Sequence, residues 1–306
     1  MTKEYVEIHR TDQNNIGDIY SNPLRYFANK EDKIHTVDIT HAQTSNYPDD
    51  VPVIVGGGGL IENEMFGHLV PIIAEGVDAN AMDKMWENRW ICRNGKNEEV
   101  FNTFNEQFVQ IFAKAQKEII KNKGPKILWG AGHNQRGVSK KDGDLKWPKW
   151  LKDFDLIGVR DYMQGYEWVP CASCMHPAFD KQYEVTNKII WFEHKKQLIK
   201  GGDFGNIPIP RVINSGQNFE QTIALLGSAE IVVTNSYHGV YWATLLNKKV
   251  ICVDPWTSKF FYFKHMPVLS KSRDWENKLD EVASYPEALQ ECREANINFW
   301  NKVKQL

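Results

Sequence analysis

Apolar positions in this chain gather into short continuous runs that stop at glycine or polar corners. Longer stretches with three- and four-residue spacing lie between them. Residues 5–8 read as a first short strand, followed by a polar corner at Asn15, Gly17 and Asp18. Residues 51–55 are apolar and mostly β-branched, as in a strand that a parallel sheet buries on both faces; Pro52 is tolerable near its start. This run ends in four consecutive glycines, 56–59. The clearest helix is expected over 103–123, where Phe104, Phe108, Ile111, Phe112, Ala115 and Ile119 share one face. Thr103 and Glu106 have capping-box spacing at its start, and Gly124-Pro125 stops it. Strands follow at 126–130 and 156–159, with a polar loop over 137–144.

Near residue 177 the alternation restarts. Strands are expected at 188–192, 212–213, 231–234 and 250–253, with helices over 219–226 and 237–246. The tail, 285–306, reads as a polar helix with Leu289, Cys292, Ile297 and Trp300 as its apolar stripe. Strand, glycine corner, helix and strand in repeated order predict an α/β fold with parallel sheets. The restart divides it into two Rossmann-like domains, 1–178 and 179–306, facing a cleft. The last helix is placed to pack back on the first domain. Ligands of open parallel sheets bind beyond the C-terminal strand ends. That directs attention to five corners: 15–18, 56–59, 130–134, 160–161 and 234–239.

Composition narrows the classes. Of 306 residues, 42% are hydrophobic and 25% charged, with a net charge of −2, so nothing asks for a nucleic-acid partner. No run approaches the length of a membrane span, and the first ten residues hold no apolar core of a signal peptide. Five scattered cysteines then suit a reduced, cytoplasmic protein. Eleven tryptophans admit sugar stacking, although aromatic residues are more often core.

Each corner has a plain reading and a sharper one. Four glycines after a strand, with Gly57 and Gly58 central, exceed what a tight turn needs and let a ligand approach the backbone. Their spacing is not that of a dinucleotide fingerprint. His133 and Asn134 follow a second glycine corner. Arg160 ends a buried strand, where its planar fork suits a carboxylate or phosphate; Asp161 either holds that fork or caps a following helix. Gly17 allows close backbone approach, and Asp18 is a helix N-cap or a contact to an acceptor hydroxyl. Cys171, Cys174 and His176 carry a Cys-x-x-Cys spacing; without a second cysteine pair, buried thiols or a turn between domains are favoured over zinc or a redox pair. The last corner presents Asn235, Ser236, Tyr237 and His238 at the mouth of a helix.

Taken in order, Asn15-Ile16-Gly17-Asp18, the glycines 56–59 with Leu60, Gly130-Ala131-Gly132, Arg160-Asp161 and Ser236-Tyr237-His238-Gly239 resemble the polysaccharide pyruvyl transferase family over about residues 15 to 265. The resemblance implies a fold like that of the B-type glycosyltransferases. It implies transfer of pyruvate from phosphoenolpyruvate to two hydroxyls of a sugar or lipid-linked oligosaccharide acceptor, forming a cyclic ketal on a surface polysaccharide or its precursor. No cofactor or metal is implied. Arg160 and His238 match positions that contact the donor, and His133 matches a further histidine. Gly17, Asp18, Gly57, Gly58, Asn134, Asn235, Ser236 and Tyr237 fall on the binding corners.

The chain departs from the pattern at Ser236, where members with an R-L-H-G corner carry arginine; Lys259 is the candidate replacement for that charge. It also has His176-Pro177-Ala178-Phe179-Asp180 where an Asp-Pro is expected. A nucleotide-sugar glycosyltransferase of the same fold, or a non-catalytic glycan-binding relative, is the alternative. In the pyruvyl reading, His238 is the general acid. A helix N-terminus disfavours its imidazolium by about 0.3–1 kcal/mol, less than the roughly 1–3 pKa units that a bound anion can supply in the other direction.

Overall fold

A computed structural model describes residues 2–11, 15–39, 46–61, 119, 121–135, 141, 143–145, 147–194, 208–216 and 218–306. Most of the helix expected over 103–123, and most of the loop expected over 137–144, lie outside the described residues.

Among the described residues eleven strands form two sheets, and every pairing within them is parallel. The first sheet has the order β2-β1-β3-β4-β5-β6. It is built from β1 (Glu4–His9), β2 (Lys33–Asp38), β3 (Val53–Gly56), β4 (Lys126–Ala131), β5 (Leu156–Val159) and β6 (Glu167–Trp168). The second has the order β11-β10-β9-β7-β8. Its strands are β7 (Asn187–His194), β8 (Arg211–Asn214), β9 (Ala229–Thr234), β10 (Lys249–Val253) and β11 (Val268–Ser270). Five α-helices are described: α1 (Ile16–Ile19), α2 (Leu24–Phe27), α3 (Phe219–Gly227), α4 (Tyr237–Leu245) and α5 (Ala288–Val303). The fold is therefore α/β with two parallel sheets, as the alternating runs predict.

Alternation along each strand divides its side chains between two cores. In the first sheet Val6, Ile8, Val53, Val55 and Leu128 point to one face. Tyr5, Ile54, Ile127 and Trp129 point to the other, where they meet Phe299 and Val303 of α5. In the second sheet Ile190, Phe192, Val232 and Cys252 pack with Phe219 of α3 and Val240 and Trp242 of α4. Trp191, Ile231, Val233 and Ile251 face Trp275 on the opposite side. Trp129, Trp191 and Trp242 are among the largest fully buried side chains, so these three tryptophans are core and not sugar platforms.

The stripe expected on the last helix holds at Cys292, with Leu289 and Trp300 partly buried against the cores, and is corrected at Ile297. Residues Ala288, Cys292, Asn296, Phe299 and Val303 make its buried face, while Ile297 is 43% exposed. Asn296 sits inside this face because it is fully bonded. Its Oδ1 accepts from Trp129 Nε1 at 2.8 Å, and its Nδ2 donates to Cys292 O at 2.9 Å and Pro170 O at 3.2 Å. Helix α4 has no polar face at all: every residue in it is buried.

Candidate active site where the loops of the two sheets meet

Residues of the first sheet build one wall. Asn15, in extended backbone, is the N-cap of α1, and its Nδ2 donates to Asp18 Oδ2 at 2.6 Å. Asp18 therefore lies within the first turn, and the expectation that it caps the helix is corrected. Gly17 is buried, and a Cβ there would overlap the imidazole of His238. Gly57 and Gly58 have φ of 70° and 77°, a region that L side chains resist. Gly58 O accepts from Gly132 N at 3.0 Å, so the corners after β3 and β4 are bonded to each other. The corners after β1 and β3 also touch: a Cβ on Gly58 would lie 3.5 Å from Asp18 Oδ1.

His133 and Asn134 follow β4. His133 is buried, and its Nδ1 lies 2.7 Å from Ser258 Oγ; that oxygen accepts from Gln135 N at 2.9 Å. Asn134 packs on Gly59, and its N donates to Ile61 O at 2.8 Å. Asp161 caps no helix, since turns follow it. Its Oδ2 instead accepts from His133 N at 2.8 Å. Burial pushes its pKa up to about 6, against the opposing pull of the Arg160 charge.

Arg160 is 3% exposed. Its stem lies over Gly132, where a Cβ would overlap Nε, and its guanidinium carbon stands 3.8 Å from the centroid of the Tyr237 ring. Nε and Nη2 are buried without a hydrogen-bond partner. A guanidinium carries five N–H donors, and leaving them unmet in a buried place is costly.

The second sheet supplies the facing wall. Asn235 Oδ1 accepts from His194 N at 2.7 Å, tying the β9 corner to β7. Ser236 Oγ makes no cap bond to α4; it accepts from Asn214 Nδ2 at 3.3 Å. Asn214 also reaches Asn15 Oδ1 at 3.4 Å, bridging the two walls. Tyr237 stacks on Phe263 at 4.7 Å between ring centroids, which fixes the ring beneath Arg160. His238 is 6% exposed. Burial, then the charges of Arg160 and Lys259, hold its pKa well below the ordinary histidine range. Lys259 thus acts on His238 electrostatically, with its Nζ 5.3 Å from the Trp256 ring centroid.

The corners singled out in the sequence are therefore brought together across the two sheets: Gly17 with His238, Arg160 with Tyr237, and His133 with the Ser258–Phe260 segment that holds Lys259. Cys171, Cys174 and His176 do not converge. Cys171 Sγ lies 3.7 Å from His238 Nε2, Cys174 Sγ is approached by Asn296 Nδ2 at 3.5 Å, and His176 Nδ1 accepts from Ala178 N at 3.1 Å as a helix cap. Among the described residues no three His, Cys, Asp or Glu side chains group as a metal site.

Two contributors are not among the residues singled out in the sequence. Asn214 ends β8 and Ser258 follows β10, so the strand-end rule applied to every strand finds both. The pairing of Cys171 with His238 spans 67 positions and leaves no sequence signal.

Among the described residues no helix is long and apolar enough to cross a membrane. No curated protein matches the chain. The sequence model described as polysaccharide pyruvyl transferase matches residues 9–257, a span that begins at the end of β1 and closes on the corner after β10, and so takes in nearly every residue of the site. On that match, which covers most of its length, the chain belongs to the polysaccharide pyruvyl transferase family.

Proposed function

We propose that this chain transfers pyruvate from phosphoenolpyruvate to two hydroxyls of a sugar, in a surface polysaccharide or its lipid-linked precursor, and releases phosphate. The observation that carries this reading is Arg160: a buried cation on the Tyr237 ring with Nε and Nη2 unbonded. A bound carboxylate or phosphate satisfies those donors in bidentate fashion. The glycine corner at 57–58 and the uncapped N-terminus of α4 add N–H groups suited to the same anion.

The reaction adds a proton to the methylene carbon of the enol phosphate, and one sugar hydroxyl bonds to the cationic carbon while losing its proton. The C–O bond to phosphate breaks with its electron pair, and a second hydroxyl closes the ring with loss of its proton. Of the two hydroxyl protons, one balances the methyl group formed and one leaves on phosphate. His238 is assigned the proton given to carbon. It is held neutral by burial and by two cations, and the donor's negative charge reverses that bias. His133 orders the second corner through Ser258, Asn134, Asn235 and Asp18 line the approach of the acceptor, and Lys259 replaces the charge absent at Ser236.

The reading takes residues 1–178 and 179–306 as two domains closing on the donor in the manner of B-type glycosyltransferases, in the cytoplasm. The test is phosphate release from phosphoenolpyruvate with galactose- and mannosamine-containing acceptors, beside thermal shifts with phosphoenolpyruvate and with UDP. Phosphate release that disappears in His238→Ala supports the assignment. Stabilisation by UDP and not by phosphoenolpyruvate overturns it in favour of a glycosyltransferase.

A further inference from the structure

We propose that Cys171 is a positioning residue that holds His238 in the tautomer with its hydrogen on Nδ1, turned toward Gly17. This rests on the assignment of His238 to proton transfer. The polarity of a four-residue chain carries it. Trp242 Nε1 lies 3.0 Å from Ser173 Oγ, and an indole nitrogen can only donate. Ser173, having accepted that bond, has its own hydrogen to place. Its other partner among the described residues is Cys171 Sγ, at 3.2 Å. Cys171 receives that hydrogen and turns its S–H to its remaining partner, His238 Nε2, at 3.7 Å. Nε2 therefore accepts, and the hydrogen of the neutral ring sits on Nδ1.

All four residues are buried, so water does not compete for these bonds. Burial also raises the Cys171 thiol above its ordinary range, which keeps its hydrogen in place. The reverse polarity fails at Ser173, where with Trp242 and Cys171 both donating to Oγ no described acceptor takes the hydroxyl hydrogen; a sulfur accepting from both Ser173 and His238 leaves its own hydrogen without a described acceptor. Nδ1 is the ring atom closest to where a Gly17 Cβ would stand, so the protonated edge faces the corner after β1. The ring itself is seated on Trp242, with centroids 4.9 Å apart, so the indole that starts the chain also fixes the ring plane.

The test reads the tautomer directly, by nitrogen-15 shifts of His238 in the full chain. The parent and Cys171→Ser are expected to show Nδ1 protonated and Nε2 as acceptor. Cys171→Ala and Ser173→Ala are expected to move the ring toward the Nε2–H form. With phosphoenolpyruvate, Cys171→Ala should change kcat for phosphate release with little change in KM, and Cys171→Ser should return it to the parent value. An Nε2–H ring in the parent, or an unchanged tautomer in Cys171→Ala, overturns the proposal. If the tautomers behave as expected while no variant releases phosphate, the positioning stands and the assigned reaction fails.

Discussion

Arg160 and Tyr237 are a buried cation and its aromatic floor, 3.8 Å apart, contributed by the two different sheets. The contact is worth about 2 kcal/mol when desolvated, which does not replace the hydrogen bonds the guanidinium lacks. Arg160 is thus maintained at a cost to the stability of the free protein. Arg160→Met should abolish thermal stabilisation by phosphate and by phosphoenolpyruvate. Alone it should also destabilise the protein by about 3–5 kcal/mol at alkaline pH, because buried Asp161 loses its compensating charge. The sign follows from Asp161, whose folded pKa already lies above the ordinary carboxylate value and rises further without Arg160, so stability is lost as pH increases. Arg160→Met with Asp161→Asn removes both charges and should stay within about 1 kcal/mol of the parent. Denaturant melts at pH 5.5 and 8 check both variants.

Gly17→Ala probes the seating of the imidazole. The added methyl overlaps the His238 ring, so helix or ring must shift. Alanine is the better helix former by about 1 kcal/mol, which offsets part of the strain in the free protein. Turnover should fall roughly 100-fold, as for a misplacement of about 1 Å, while the melting temperature changes little. Steady-state phosphate release beside calorimetry separates the two effects.

Donor binding should take up a proton at neutral pH. Burial holds His238 neutral, so the folded chain binds fewer protons than the unfolded one below the ordinary histidine value, and stability falls as pH drops through it. An anion next to the ring raises the folded pKa toward or above that value. Titration calorimetry at pH 7 in buffers of different ionisation enthalpy should show uptake with the parent and none with His238→Ala.

Glu7 is buried in β1, where Oε1 accepts from Leu24 N at 2.7 Å and Oε2 from Asn22 Nδ2 at 3.2 Å. Burial outweighs these bonds and pushes its pKa up to about 7. A carboxyl raised in the fold contributes stability that is complete below its unfolded value and is lost as pH rises through about 7. The full shift corresponds to about 3 kcal/mol. Glu7→Gln keeps an acceptor for Leu24 N and removes this titration, so the loss due to Glu7 between pH 5 and 8 should disappear and the variant's stability should exceed the parent's at pH 8.

Asn296 fastens the last helix to the first sheet. Asn296→Ala strands the Trp129 indole hydrogen and the Pro170 carbonyl in a dry core, at a cost of about 3 kcal/mol. Chemical denaturation followed by tryptophan fluorescence measures it. A loss below about 1 kcal/mol would mean that water reaches these groups.

The apolar runs of the sequence by themselves determined where the buried strands and most site corners fall. A strand covered on both faces needs a continuous apolar stretch, and a backbone that must turn at its end needs glycine or a polar residue there. That places Gly58, His133, Arg160 and His238 before any coordinate is known. Edge strands are less legible: β2 is half polar because solvent covers part of it, and β11 has three residues, too few for a period. Only the tertiary structure decided what the corner residues do for one another. Asp18 accepts from Asn15 instead of capping a helix, Asn235 braces β7, and Cys171 meets His238 across 67 positions. Local spacing cannot carry such pairings, because they arise from how two sheets dock and bury their loop residues together.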